Sequence, residues 1–225
     1  MDDKTKEPQY QPLVELKNRK GLTTFGLMSN GVWQDDPRRI CFVLARYKFV
    51  AKMFSGLGRV LEVGCADAFG TRIVQQEVSE IVAVDFDPVF VEDVRSRMDE
   101  RWKLTCKIHD MISGPLRENF DGAYSIDVLE HISPEQEGQF IGNIVQSLSS
   151  TGVCIIGSPS LESQAYASQA SREGHVNCKS APDLKKLMQR YFHNVFIFSM
   201  NDEVIHTGFH KLAHYLFALC AGIKR

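Results

Sequence analysis

The chain has 225 residues, of which 44% are hydrophobic and 24% charged, and its formal net charge is −2. This composition is typical of one soluble domain with a full hydrophobic core. The nearly balanced charge disfavours a nucleic acid as the main partner, because phosphate binding usually needs a basic surface. The six cysteines are scattered singly, which predicts reduced thiols in a cytoplasmic protein and neither disulfides nor a zinc site.

The first 36 residues are predicted to form an arm outside the main domain. Residues 1–20 are polar and lack the apolar segment of a secretory signal. Residues 21–36 show no periodicity, so we expect a flexible arm or lid that ends in a packed loop. A helix is predicted from Pro37, because Asp36 can cap it and apolar residues then recur at helical spacing. The domain itself is therefore placed at 37–225.

Short apolar runs follow, separated by helix-length segments. Most are apolar on both faces, as expected for parallel strands covered by helices on both sides. They lie at 60–63, 81–84, 104–108, 123–126, 153–156 and 195–198. Helices are predicted over 134–148 and 180–192, where Ser133 and Ser180 supply capping signals. The alternation predicts a Rossmann-like, doubly wound α/β fold whose ligands bind at the C-terminal ends of the strands.

A turn of small residues follows the first strand, with Gly64 at its start. Small side chains let the backbone approach a ligand closely. A dinucleotide fold expects G-x-G-x-x-G here, but Phe69 takes the place of the third glycine. Glu62 and Asp67 would repel a pyrophosphate, whereas they suit a ligand that carries an ammonium and a sulfonium. The turn therefore favours such a ligand over a nicotinamide dinucleotide, which stays as an alternative.

The next two strands also end at carboxylates. Asp85 follows the second strand and can accept the hydroxyls of a ribose, while Asp87 is expected to cap the next helix. Asp110 follows the third strand and can accept an adenine amino group, with Met111 packed on the ring. Since the carboxyl ends of parallel strands meet at one edge, these residues are expected to converge on one nucleoside.

These motifs, in this order, resemble those of the class I SAM-dependent methyltransferases over roughly residues 40–200. The similarity extends through 120–132, Phe-Asp-Gly-Ala-Tyr-Ser-Ile-Asp-Val-Leu-Glu-His-Ile, and is greatest to the branch that methylates small molecules. Ala66 and Ala68 stand where the family usually has glycine. The resemblance implies a seven-stranded, mostly parallel sheet with helices on both faces and a last, antiparallel strand, for which 204–208 is the candidate.

The resemblance also implies S-adenosyl-L-methionine as the cofactor. The expected cofactor-binding residues are Glu62, Gly64, Cys65, Ala66, Asp85, Phe86, Asp110, Met111 and Asp127. The catalytic candidates are His131, His175 and Asp127. Histidine is suited to accept the proton of a hydroxyl acceptor near neutral pH, although His131 has an equally weighted structural interpretation. His175 ends a long polar loop after the fifth strand, and loops in that position often form lids.

The acceptor is expected to be a small polar metabolite, with a sugar or sugar conjugate favoured, methylated on oxygen or nitrogen. A quinone or lipid acceptor is the alternative, with 212–220 touching a membrane surface; a third is a protein that binds the cofactor without catalysis. We expect no nucleic-acid partner and no membrane span, and a homodimer is compatible with the sequence. His206, His210 and His214 are spaced as helical metal ligands, but Gly208 interrupts that helix and no metal site is predicted. Arg46 could contact the cofactor carboxylate or be solvated.

Overall fold

The structure is a computed structural model that describes residues 4–99 and 101–224. Residues 1–3 of the predicted arm and the last residue of the predicted domain lie outside the described residues. All six cysteines are free thiols. None of the described helices is long and apolar enough to cross a membrane.

One mixed sheet runs through the described part of the chain, and it has eight strands rather than the predicted seven. Their order in the sheet is β3-β2-β1-β4-β5-β8-β6-β7. The strands from β1 to β5 pair in parallel, whereas β8 is antiparallel to both β5 and β6. The strands are β1 Arg59–Val63, β2 Glu80–Asp85, β3 Leu104–Ile108, β4 Phe120–Ile126, β5 Leu148–Pro159, β6 Phe192–Asn201, β7 Val204–His206 and β8 Tyr215–Ile223.

The last strand of the chain is antiparallel, as expected, but it is β8, between β5 and β6, and not the predicted run at 204–208. Residues 204–206 form β7, a short edge strand that pairs only with β6. The internal antiparallel strand is β8, in which the side chains of 215–218 are buried. A run that is apolar on both faces has the composition of a central strand as much as that of an apolar tail. Its burial removes the basis for membrane contact by residues 215–220.

Helices cover both faces of the sheet, as predicted. They are α1 Gln11–Lys20, α2 Leu27–Asp35, α3 Arg38–Met53, α4 Thr71–Val74, α5 Pro88–Arg97, α6 Glu137–Ser147, α7 Gln169–Gly174 and α8 Ala181–Met188. Alternate residues of β1 point to opposite faces: Leu61 packs with α6 and α8, whereas Val60 packs with α3 and α5. The two hydrophobic cores lie on these two faces.

The N-terminal segment differs most from its prediction. Helices α1 and α2 lie where an irregular arm and a loop were expected. Helix α2 has little amphipathic pattern, and its buried Ser29 and Val32 show that tertiary contacts hold it. Helix α3 begins at Arg38, whose amide donates to Asp36 Oδ1 at 3.2 Å.

The capping predictions hold at two helices. Asp87 caps α5 by accepting from the Val89 amide, and Ser180 caps α8. Helix α6 instead begins at Glu137, one turn later than Ser133 predicted, because residues 134–136 form a separate turn. The histidines at 206, 210 and 214 do not share a helix, since they lie in β7, in a 3-10 turn and after it.

Candidate functional site

The strand order reverses between β1 and β4, and a cavity of about 540 Å³ opens at their C-terminal ends. This volume lies in the range that small-molecule sites occupy. The cavity is walled by residues that directly follow β1 to β4. They include eight sequence-predicted residues: Gly64, Ala66, Asp85, Phe86, Asp110, Met111, Asp127 and His131. We refer to it as the strand-end cavity.

The turn after β1 brings the backbone close to this cavity. Gly64 has a φ of +76°, and a Cβ added there would overlap a methyl group of Val128. Glycine is therefore required both by the left-handed backbone and by the packing. Ala66 and Ala68 also have left-handed φ values, 44° and 52°. This conformation costs an L-residue about 1–2 kcal/mol, so the two alanines store strain in the turn.

Asp85 connects the turn to the end of β2. Its Oδ2 accepts from the Ala66 amide at 2.9 Å and its Oδ1 accepts from the Asp87 amide at 3.0 Å. A carboxylate has about four acceptor positions, so Asp85 can still accept two hydrogen bonds from a ligand in the strand-end cavity. Phe86, the next residue, is 73% exposed at the rim and presents a ring face on which a base could stack.

The end of β3 supplies the opposite wall. Asp110 is exposed, and its Oδ1 accepts from the Ile112 amide at 2.8 Å. Met111 is only 3% exposed, and its carbonyl oxygen accepts from Asn143 Nδ2 at 2.7 Å. The Met111 side chain therefore forms the floor of the strand-end cavity, while the Asp110 carboxylate keeps acceptor positions open at its edge.

Glu62 lies beneath the turn and does not line the strand-end cavity. It is 1% exposed, and its Oε2 accepts from Thr71 Oγ1 at 2.5 Å. Burial raises the pKa of the Glu62 carboxyl to about 7, and the hydrogen bond from Thr71 offsets part of the rise. The Glu62 side chain thus supports the turn from below, and its contact with the cofactor stays a prediction.

A second cavity of about 360 Å³ adjoins the first on the side of α2, α3 and the loop that follows β5. We refer to it as the loop-side cavity. Cys65 and His175 line only this cavity, while Met28, Gly64, Ala66, Asp127 and His131 line both. A ligand in the strand-end cavity can therefore present one end to a second molecule in the loop-side cavity.

Asp127 lies where the two cavities meet. It is in the left-handed region, with a φ of 58°, and its Oδ2 forms an ion pair with Arg46 Nη1 at 2.6 Å. Arg46, on α3, is largely buried and lies 3.9 Å above the centroid of the Tyr215 ring. Arg46 is therefore not simply solvated, and contact of Arg46 with the cofactor carboxylate stays a prediction, since its Nε has no hydrogen-bond partner among the described residues. Its partner is 81 residues away in sequence, so no local pattern reveals the contact.

His131 and His175 lie side by side, with ring centroids 5.2 Å apart. His131 Nδ1 is 2.9 Å from the Gly174 carbonyl oxygen, and His175 Nδ1 is 2.9 Å from Gln164 Oε1. Both oxygens can only accept, so each Nδ1 carries the proton and each Nε2 has a free lone pair. Burial, followed by the neighbouring His131, lowers the pKa of His175, which favours its neutral form.

Glu130 completes this corner of the loop-side cavity. Its carbonyl oxygen accepts from the amides of Val176 and Asn177 at 2.8 and 3.0 Å, which docks the end of the long loop. The side chain is 1% exposed. Burial, and then the charge of Asp127, raise the pKa of the Glu130 carboxyl well above its ordinary range. Sequence analysis missed Glu130, although its position beside His131 was a usable signal.

Helix α2 and the segment before it close the other side of the loop-side cavity. Asp67 Oδ2 accepts from the Ser29 amide at 2.6 Å, and the Asp67 carbonyl oxygen accepts from Arg97 Nη2 at 2.8 Å. Asp67, predicted as a carboxylate that faces a ligand, is thus also the anchor of α2. Phe25 packs on Phe69 with ring centroids 5.4 Å apart, so the segment before α2 lies against the turn.

Residues 60–152 match the family described as a methyltransferase domain. Together with the strand order, the left-handed glycine turn and the acid at the end of β2, this match decides the family. These residues belong to the class I methyltransferases. The cofactor is S-adenosylmethionine, and the site fits it: Gly64 leaves a cradle that a Cβ would fill, and Asp85 keeps two acceptor positions.

Comparisons with curated proteins and solved structures give further similarities. A probable S-adenosylmethionine-dependent methyltransferase of Mycobacterium tuberculosis is 25% identical over 101 residues, which are 44% of this chain and 35% of that protein. The matched part thus spans about a third of that relative. The N-methyltransferase NodS of Bradyrhizobium japonicum, in complex with S-adenosylhomocysteine, has a TM-score of 0.63 at 17% identity, over 84% of this chain and 91% of that one. The small RNA methyltransferase HEN1 has a TM-score of 0.64 at 13% identity, over 80% of this chain and 25% of that one. At these identities the two structures show a shared fold.

Proposed function

We propose that this chain transfers the methyl group of S-adenosylmethionine to a small polar acceptor bound in the loop-side cavity. The observation that carries the proposal is that the two cavities meet at Gly64, Ala66, Asp127 and His131. A cofactor that fills the strand-end cavity would present its reactive end at that junction. Methyl transfer is a displacement between two reactants, so an enzyme of this kind needs two adjoining sites held in register.

The residues that would hold the cofactor are those at the ends of β1 to β3. The turn at Gly64 and Ala66 offers close approach of the backbone, Asp85 offers acceptors for the ribose hydroxyls, and Phe86 a stacking face. Asp110 offers an acceptor for the adenine amino group. When bound, the cofactor supplies a methyl carbon that its sulfonium already activates. The chain itself therefore contributes binding, orientation and the exclusion of water.

The acceptor class rests on the lining of the loop-side cavity. Ser29, Arg39 and Ser171 lie there together with His131 and His175, so hydroxyl and amine groups would find polar partners. This supports a polar metabolite over a quinone; a sugar or sugar conjugate, methylated on oxygen or nitrogen, is the acceptor we propose within that class. With one lone pair free on each ring, His131 and His175 can accept a proton from such an acceptor or hold it in place.

The proposal is tested by calorimetry with S-adenosylhomocysteine, followed by assays of methyl transfer from labelled S-adenosylmethionine. The acceptor panel should include sugars, sugar conjugates, quinones and a small RNA. Turnover with a sugar-type acceptor, lost in His131→Gln while S-adenosylhomocysteine still binds, is the expected result. His193→Gln, an exposed histidine on β6, is the matched control.

Three outcomes would count against this account. Methylation of the RNA or of a quinone alone would replace the acceptor class. Cofactor binding without turnover on any acceptor would favour a protein that binds the cofactor without catalysis. Equal turnover in His131→Gln and wild type would return His131 to a structural role.

A further inference from the structure

Glu130, His131 and His175 form a cluster whose potential ligand atoms all lie within 4.8 Å of one another. Within residues 4–99 and 101–224, it is the one group of three or more histidine, cysteine or acidic side chains that could hold a metal ion. It stands at the wall of the loop-side cavity, which His131, His175 and Glu130 line. The cluster joins the segment after β4 to the residue that follows α7, in the long loop after β5.

The two imidazoles make the kind of hydrogen bond that metal-binding histidines make. Histidines that bind metals usually donate the other ring N–H to a carbonyl or carboxylate, which fixes the tautomer and the direction of the ligating nitrogen. Here His131 Nδ1 donates to the Gly174 carbonyl oxygen and His175 Nδ1 donates to Gln164 Oε1, both at 2.9 Å. Nε2 is therefore the available ligand atom on each ring.

The third member of the cluster, Glu130, favours a metal site over a pair of histidines that act only as proton acceptors. Its side chain is 1% exposed, and its Oε2 has no hydrogen-bond partner among the described residues. A buried carboxyl oxygen without a partner is unfavourable, and a bound cation would supply the missing partner and hold the carboxyl ionised. Arg46 does not do so directly, because its Nη1 is paired with Asp127.

We propose that Glu130, His131 and His175 bind a divalent transition-metal cation. Two imidazole nitrogens and one carboxylate oxygen suit Zn²⁺, Mn²⁺, Fe²⁺ or Co²⁺, while Mg²⁺ and Ca²⁺ prefer all-oxygen sites. Three protein ligands would leave coordination positions open, and all three residues line the loop-side cavity. No metal site was predicted from the sequence, because the only histidine ligand set considered there was the one at 206, 210 and 214.

The consequence for the reaction rests on the proposed function. A cation at this position can bind an oxygen of the acceptor and lower the pKa of a coordinated hydroxyl. With the Nε2 atoms of His131 and His175 bound to the cation, the hydroxyl proton would pass to solvent water instead of to a histidine. The oxygen forms a bond to the methyl carbon as the carbon–sulfur bond breaks and its electron pair stays on sulfur. The site therefore selects acceptors that present a hydroxyl oxygen to the cation.

The test uses the full chain stripped of metal by a chelator and titrated with Co²⁺, with detection by visible absorption and calorimetry. One equivalent should bind and give the visible bands of a cobalt site with nitrogen ligands, and Zn²⁺ should displace it. Glu130→Gln and His175→Gln should each weaken binding by at least about tenfold, because loss of a ligand should cost no less than loss of a residue that supports one. His193→Gln should bind Co²⁺ as wild type does.

Two results would overturn the proposal: no stoichiometric binding to wild type, or equal binding in wild type, Glu130→Gln and His175→Gln. If Glu130→Gln does not fold, His175→Gln still decides the question, because His175 is partly exposed. S-adenosylhomocysteine binding, measured in the same samples, separates this proposal from the previous one. Loss of Co²⁺ with cofactor binding intact concerns the metal site alone, whereas wild type that binds Co²⁺ but no S-adenosylhomocysteine contradicts the proposed function.

Discussion

The two cavities share a boundary but are built in different ways. The strand-end cavity is walled mainly by residues that directly follow β1 to β4, and parallel ladders fix their relative positions. The loop-side cavity is walled by α2, α3 and the segment from 159 to 175. A few single contacts dock these elements, such as those from Ser29 to Asp67 and from Val176 to Glu130.

The difference teaches which half of the site the sheet itself determines. Each strand end is held by many ladder hydrogen bonds, so the groups that would hold the cofactor need no further support. The loop-side cavity depends on docked segments that can open with the loss of a few bonds, and low local stability of this kind is common in segments that admit ligands. The predictions below test how far the strand-end half is fixed by its own local geometry.

Gly64→Ala should have the largest effect. The added Cβ would overlap Val128 and would have to adopt a φ of +76°, so the turn must move away from the strand-end cavity. We expect S-adenosylhomocysteine affinity to fall by about 100-fold or more, corresponding to about 3 kcal/mol, as measured by calorimetry.

Gly56→Ala is the control that isolates the cost of a positive φ from the overlap with a neighbouring side chain. Gly56 also has a positive φ, +86°, but nothing lies within 4 Å of its added Cβ. It should lower the free energy of unfolding through backbone strain and leave the affinity unchanged. Similar affinity losses in both variants would show that strain, and not the closeness of Gly64 to Val128, determines the site.

Much of the strand-end half could be predicted from the sequence for a physical reason. A carboxylate at the end of a parallel strand is placed by the register of the sheet, so Asp85 and Asp110 needed only the strands to be found. The prediction of the sheet was less complete: it missed β8, because the apolar run at 215–223 resembles a tail and a strand equally well. Helix α2 has no periodicity to detect, since its tertiary contacts hold it.

The loop-side half could be predicted only in part. His131 and His175 were both nominated, but their proximity depends on a loop that returns across 43 residues to place Gly174 on His131. The pairing of Arg46 with Asp127 and the burial of Glu130 arise only when α3, β4 and that loop are packed together. Patterns in one segment carry no information about such contacts.

Glu62→Gln should change the pH dependence of stability. The Glu62 pKa is raised by burial from 4.5 to about 7 in the folded chain. Between these values the unfolded chain releases the proton and the folded chain keeps it, so the free energy of unfolding falls as pH rises, by about 3 kcal/mol in total. Glutamine mimics the protonated carboxyl and should remove this slope.

The measurement is urea unfolding of both proteins at about pH 5 and about pH 8, because the other titrating groups cancel in the difference. The stability of Glu62→Gln relative to wild type should grow toward the higher pH. Parallel pH curves for the two proteins would mean that Glu62 titrates normally and that the floor of the turn is solvated.

Asp85→Ala should weaken S-adenosylhomocysteine binding by about 1–3 kcal/mol, the scale of charge-assisted hydrogen bonds. It also removes the acceptors of the Ala66 and Asp87 amides. Asp121→Ala is the matched control, because Asp121 accepts from the Arg59 amide at 2.9 Å at the opposite end of β1. Both variants should lose stability, but only Asp85→Ala should lose affinity; unchanged affinity would remove Asp85 from the site.

Ala66→Gly should have the smallest effect, and it should be favourable. Relief of the left-handed strain at a φ of 44° gains about 1–2 kcal/mol, while the extra freedom of glycine in the unfolded chain offsets about 0.5–1 kcal/mol. Ala68→Gly relieves the same strain but also removes a methyl group that is 1% exposed, at a cost of about 0.8 kcal/mol. Thermal unfolding should therefore rank Ala66→Gly above wild type and Ala68→Gly close to it. The opposite order would show that the turn relaxes around its alanines, and that its conformation is less fixed by the sheet than that of the strand ends beside it.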